Sequence, residues 1–440
     1  MTSKVVAFKR RSPADILPGI RLNQQQRTVL KAMEAFTESR EKFFLLTGYA
    51  GTGKTTLLQA LIKRMRQRGD RRRIVFTAFS NKATKVLERM ASAWNLEIEC
   101  MTCCKLLGLR PDIDPNSGKQ VFKPDRDSEN LIERFHLVVV DEASMINEEL
   151  WGLLTAAVMD LLNQTQLLFV GDVAQLPPIG ERESRVFSEI DNRGDLTEVV
   201  RYGGAIALLA ESIRNDLTQY ELPPFVTDMN GDRTEGVIVC QRSNWEKLMI
   251  RAFQSDASKT DSDHVRVLAY TNRRVDALNH QIRRAIYGGE TPRFVQGERL
   301  VANSPYLWGD SLILQTSSEC EVLKVDTAQH GPWQVWALKV LTDEGKRRDI
   351  SVLHEDSTAA FKLLLDSYAK EKRWREFWDL KGLFADLNYA YCLTIHKSQG
   401  STFQNVFVDV PNALINKNIR ERNQLLYVAV TRAAKRLFIY

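Results

Sequence analysis

Residues 43–65 read FFLLTGYAGTGKTTLLQALIKRM, and the order apolar run, glycine-rich turn, helical run decides the fold. The apolar residues 43–46 predict a buried strand, and the spacing of apolar residues from Leu57 onward predicts a helix. Between them, GYAGTGKT places a glycine at each end so that backbone N–H groups can close around phosphate oxygens without a Cβ in the way. A phosphate held there would be lined by Gly48, Ala50, Gly51, Thr52, Gly53, Lys54, Thr55 and Thr56. Lys54 would reach the β and γ phosphates of a nucleotide, and Thr55 would offer its hydroxyl to Mg²⁺. The helix begun at Thr55 would aim its positive N-terminus at the same anion. A glycine-rich turn alone would not require the preceding strand, the Lys-Thr pair and the following helix together.

The chain has 440 residues, 44% hydrophobic and 26% charged, which is too long for one ordinary core and predicts two or more domains. No apolar run approaches the roughly 18 residues of a membrane span, so a cytoplasmic protein with no membrane partner is expected. Residues 1–19, MTSKVVAFKRRSPADILPG, are basic but carry no long apolar segment or small-residue cleavage site, so no signal peptide is read and a mobile basic arm is expected. The net charge of +6 is mild for this length. Basic clusters at 64–73 and 9–11 are open to two readings, phosphate contacts or solvated surface. Cys100, Cys103 and Cys104 lie close together, but no second Cys or His pair follows at zinc-finger spacing; reduced thiols fit the six cysteines better.

Short β-branched runs alternate with helical patterns at 43–46, 57–65, 73–76 and 82–93, and further strands are expected at 137–140 and 167–170. Such alternation argues parallel βαβ construction, with ligands at the carboxyl edge of the sheet. The alternation returns at 265–269, 275–285, 406–410, 423–430 and 436–440, predicting a second α/β domain. Two stretches break it. Residues 109–133 contain a Pro-Asn-Ser-Gly turn between short strand candidates, a β-hairpin signal. Residues 291–388 are β-rich and then helical, and hold five of the eight tryptophans (Trp308, Trp333, Trp336, Trp374, Trp378), the mark of a packed module.

VVVDEASM, residues 138–145, sets Asp141 and Glu142 directly after a buried strand. Asp141 would hold Mg²⁺ through its shell, and Glu142 would orient or deprotonate a water attacking the γ phosphate. In GDVAQLPPIG, residues 171–180, Gln175 is expected against the γ phosphate, while Asp172 reads as a local hydrogen-bonding residue.

With LTIHKSQGSTF at 393–403 and LLYVAVTRAAKRLFI at 425–439, the motif order resembles superfamily 1 helicases, in the 5′-to-3′ branch of RecD-like and phage Dda-type proteins. The resemblance covers residues 22–440. It implies an α/β fold of two RecA-like parallel-sheet domains (a P-loop NTPase) with a β-hairpin pin insertion and an SH3-like β-barrel insertion. The first domain would span 1–187 with the pin at 105–134, the second 188–291 and 388–440, and the barrel with its helical extension 292–387.

The resemblance also implies residue roles. Gln26 would read the adenine edge, and Arg201 and Arg432 would reach the γ phosphate from the second domain, coupling hydrolysis to closure. Phe79, Asn81, Lys82, Thr102, Thr394 and His396 would follow single-stranded DNA. Two departures from the family pattern stand out: Phe79 replaces a usual proline, and Cys103 and Cys104 follow Thr102 where isoleucine and histidine are usual. Phe79 would stack on a base or fill the sheet edge. Phe122, just past the hairpin turn, would stack on a duplex junction or pack into the hairpin's own base.

The expected protein is therefore an ATP- and Mg²⁺-dependent DNA helicase and single-stranded-DNA translocase. It would work as a monomer on single strands and duplex junctions, in replication, repair or recombination and with proteins of those processes. An RNA-directed motor, or a subunit that binds nucleic acid without turnover, is the alternative.

Overall fold

The computed structural model describes residues 21–114, 120–125, 128–159, 163–198, 204–309 and 311–440. Its N-terminal half is built on a six-stranded parallel sheet, in the order β3-β2-β6-β7-β1-β8. The strands are β1 (Phe43–Gly48), β2 (Ile74–Ala78), β3 (Glu99–Thr102), β6 (Leu137–Val140), β7 (Gln166–Gly171) and β8 (Arg193–Leu196). Phe44, Leu45, Leu46, Val138, Val139, Val140, Leu167, Leu168 and Phe169 are wholly buried. Such unbroken apolar runs are what a parallel sheet covered by helices on both faces requires. A separate hairpin, β4 (Leu109–Ile113) and β5 (Gln120–Pro124), projects between β3 and β6.

The second half carries another six-stranded sheet, β19-β11-β20-β21-β10-β9, parallel except for its edge strand. Here β9 is Asp228–Met229, β10 Gly236–Val239, β11 Val265–Ala269, β19 Cys392–Thr394, β20 Phe403–Val408 and β21 Ala433–Ile439. Between β11 and β19 the chain leaves to form a five-stranded antiparallel sheet, β17-β16-β15-β12-β18. Its strands are β12 (Arg299–Ala302), β15 (Glu319–His330), β16 (Trp333–Thr342), β17 (Arg347–Leu353) and β18 (Leu387–Tyr389), with a small hairpin of β13 (Tyr306–Trp308) and β14 (Ser311–Leu314) beside it.

Two expected boundaries shift. β8 pairs with β1, Leu45 opposite Arg193 through Gly48 opposite Leu196, so the first α/β unit runs beyond 187. The antiparallel sheet likewise takes β18, which crosses the expected boundary at 387/388 to pair with β12. Pairing across a sheet is not visible in local composition, which is why both edges were misplaced.

Candidate nucleotide site and nucleic-acid face

The phosphate loop joins β1 to the helix Lys54–Gln67. Gly51 and Gly53 hold φ of 84° and 89°, a left-handed backbone open to glycine. Gly48 is crowded instead: a Cβ there would come within 2.5 Å of the Thr52 hydroxyl. Lys54 Nζ bends back onto the carbonyls of Gly48 (2.5 Å) and Tyr49 (3.1 Å), so its ammonium sits over the loop.

Asp141 and Glu142 follow β6 at the carboxyl edge of the same sheet. The Asp141 N–H donates to Thr77 O at 2.8 Å, extending the sheet by one residue. Glu142 then turns into the left-handed region (φ 54°, ψ 46°), and its N–H donates to Asp141 Oδ1 at 2.9 Å. A non-glycine residue held there costs on the order of 1–3 kcal/mol, a strain that clusters at active sites. Burial, reinforced by Asp141 beside it, pushes the Glu142 carboxyl up to about 7 against the opposing pull of Arg432 and Lys54. Burial also raises Asp141, opposed by the Glu142 N–H and Lys54.

The second α/β unit closes over this edge. Arg432 follows the helix Ile419–Thr431 and is 6% exposed; its guanidinium donates to Val428 O, Ser401 O and Thr431 Oγ1 at 3.1–3.2 Å. Gln175 is held at both ends. Its backbone carbonyl accepts from Gln424 Nε2 at 2.9 Å, and its side-chain oxygen lies 3.4 Å from the Ser144 hydroxyl. Arg201 lies outside the described residues.

Residues 21–223 match the family described as an AAA domain, and residues 389–440 match the UvrD-like helicase C-terminal domain. An uncharacterized protein of Acanthamoeba polyphaga mimivirus, R530, is 26% identical, over 94% of this chain and 98% of the relative. The ATP-dependent DNA helicase dda of Enterobacteria phage T4 is 25% identical, over 95% and 98%. A solved structure of forked-DNA unwinding by two coordinating Pif1 helicases shares the fold at a TM-score of 0.50, with 15% identity over 95% and 92% of the two chains. The chain is a superfamily 1 helicase. It belongs to the branch of RecD-like and Dda-type proteins.

Several expected site residues of the helicase have other engagements. Gln26 does not present a free edge to adenine. Its Oε1 accepts from the Asn23 N–H and its Nε2 donates to Thr52 O, both at 3.0 Å, closing a helix capping box and tying the helix Gln24–Glu38 to the phosphate loop. Phe122 is 9% exposed and packs in the first unit's core with Trp151 and Ile132, while its N–H donates to Glu149 Oε1 at 3.0 Å. This corrects the junction-stacking expectation: an aromatic side chain opposite Pro111, two residue pairs in from the start of β5, faces the core and not the hairpin tip.

Thr102 and Thr394 are buried and engaged locally: Thr102 caps the helix Cys103–Leu106, accepting from the Lys105 N–H, and Thr394 accepts from the Lys397 N–H, at 3.2 Å each. Phe79 is half-buried against the same core as Phe122, its sheet-edge alternative. Asn81 donates to Glu344 at 3.0 Å, and Lys82 to Glu319 at 3.0 Å, so both expected phosphate partners rest on carboxylates of the antiparallel module. His396 lies 6.2 Å from the Tyr270 ring at 36°, and burial lowers its pKa.

Three residues at the cleft escaped the sequence reading. Tyr427 places its hydroxyl 3.0 Å from the Ala50 N–H and 2.6 Å from Asp172 Oδ2. The Arg214 guanidinium covers the Tyr49 ring at 4.0 Å. Gln399 donates to Leu176 O at 3.2 Å. The available signal for Tyr427 was its place five residues before Arg432 in LLYVAVTR, and for Gln399 its place three residues after His396 in LTIHKSQGSTF; for Arg214 no local signal exists.

Proposed function

We propose that this helicase is an ATP-driven motor that moves 5′ to 3′ along single-stranded DNA and separates duplex ahead of it. One observation carries the reading: the second α/β unit meets the phosphate loop and the Gln175 segment directly, through Tyr427 on the Ala50 N–H at 3.0 Å and Gln424 on the Gln175 carbonyl at 2.9 Å, which puts Lys54, the Asp141–Glu142 pair and Arg432 around one cleft. ATP would sit on the loop, with Lys54 swung from its carbonyls onto the β and γ phosphates. Glu142 would orient or deprotonate the attacking water, and Gln175, Arg201 and Arg432 would meet the γ phosphate when the units close.

The Thr55 hydroxyl and the Asp141 carboxylate are hard oxygen donors suited to Mg²⁺. Bound there, Mg²⁺ would neutralise phosphate charge. Closure and opening of the two units would shift the grip on the strand, with the hairpin as splitting element and the antiparallel module as its support.

We assign the protein to work as a monomer on single strands and junctions, in the cytoplasm, alongside replication or recombination proteins. Among the described residues no helix is long and apolar enough to cross a membrane. ATPase activity should rise with single-stranded DNA, and Lys54→Ala should abolish it; equal turnover with and without DNA would overturn the motor reading. Strand displacement should require a 5′ tail, and preference for a 3′ tail would overturn the polarity.

A further inference from the structure

Tyr427 is wholly buried on the helix that leads into Arg432, yet its hydroxyl touches the phosphate loop of the other unit. A phenol has one proton to give. That proton is committed to Asp172 Oδ2 at 2.6 Å, which turns the oxygen's lone pairs toward the Ala50 N–H at 3.0 Å. Asp172 is itself fixed, 2% exposed, with Oδ1 accepting from the Ala174 N–H at 2.9 Å. Gln175 lies three residues after Asp172, and its N–H donates back to Asp172 O at 3.1 Å. One hydroxyl therefore ties together the loop that takes phosphate, the segment that carries Gln175 and the helix that delivers Arg432.

We propose that Tyr427 is a positioning residue for ATP hydrolysis, bracing Arg432 and Gln175 against the phosphate loop through Asp172. This deepens the motor reading and rests on it. Arg214 over Tyr49 and Gln424 on the Gln175 carbonyl flank the contact, so the interface is shaped around it on both sides. Removing the hydroxyl leaves the ring and its packing in place. What is lost is the fixed distance between the loop and the arginine, which matters most when charge develops on the γ phosphate.

The test is Tyr427→Phe in the full chain, measured with saturating single-stranded DNA. Turnover should fall about tenfold, equivalent to about 1.4 kcal/mol of transition-state stabilisation. The KM for ATP should stay within about twofold of the parent and DNA affinity without nucleotide should not change, while melting temperature falls modestly because Asp172 Oδ2 and the Ala50 N–H lose a shared partner. Asp172→Asn should fall by a similar factor, and the double variant no further, because both act through one contact. Parental turnover in Tyr427→Phe, additive losses in the double variant, or a loss of turnover accompanied by a several-fold rise in KM and weakened DNA affinity would each overturn the proposal. A parent chain with no DNA-stimulated turnover would instead bring down the motor reading itself.

Discussion

At the scale of single residues, the phosphate loop is tied to the Gln24–Glu38 helix through one side chain. Gly53 sits at φ 89°, and a Cβ there would come within 2.5 Å of Gln26 Nε2. That amide has little freedom to yield, since its other end is bonded to Asn23. Gly53→Ala should cost about 1–2 kcal/mol in stability from the left-handed backbone alone. It should also weaken nucleotide binding by at least about tenfold, because the loop must shift to admit the methyl group. Titration with a fluorescent ATP analogue checks this, and an unchanged affinity would mean the loop tolerates the displacement. Lys54, Asp141, Glu142 and Gln175 could be named from sequence because each stands within a few residues of the motif that gives it meaning. The Tyr427 to Asp172 contact spans 255 positions, and only the closed cleft brings it together. Gln26 is a related case: its amide bonds the Asn23 and Thr52 backbone, and the tie to Thr52 spans 26 positions that no local pattern connects.

Among the elements, the two parallel sheets were legible because fully buried strands leave unbroken apolar runs. Edge pairings were not, as β8 of the first parallel sheet and β18 of the antiparallel sheet illustrate. The hairpin was also readable from its turn, but not the direction in which its aromatic points. A residue's face depends on register, and a shift of one position reverses it. Phe122 packs inward, with its backbone N–H anchored on Glu149. Phe122→Ala should therefore destabilise the first unit by about 3 kcal/mol, the scale for an aromatic removed from a core. Chemical denaturation gives the value. A variant with parental stability that fails only in unwinding would return Phe122 to the role of a junction wedge.

At the scale of the whole molecule, a charged node joins the three units where they meet, apart from the cleft contacts of Tyr427, Gln424 and Gln399. Lys82 comes from the first α/β unit, Arg266 from the second and Glu319 from the antiparallel module. Glu319 accepts from Lys82 Nζ at 3.0 Å and from Arg266 at 3.1 Å, and both cations lie over the Phe403 ring at 4.4 and 4.8 Å. Burial alone would raise the Glu319 carboxyl, but Arg266 and Lys82 outweigh it and hold it near a pKa of about 2, below its ordinary 4.5. A carboxylate depressed in the folded state contributes its stabilisation in full above the unfolded pKa and loses it as pH falls toward the folded one. The node should therefore be intact above about pH 4.5 and dissolve between there and about pH 2. Glu319→Gln leaves Lys82 and Arg266 only the more exposed Asp263, at 3.5 and 3.9 Å, as counter-charge, and breaking a buried pair from one side costs on the order of 3–5 kcal/mol. Melting curves of parent and variant from pH 7 to pH 3 should differ most at neutral pH and converge in acid. Parallel curves over that range would mean that Glu319 contributes packing alone and that the three units are joined elsewhere.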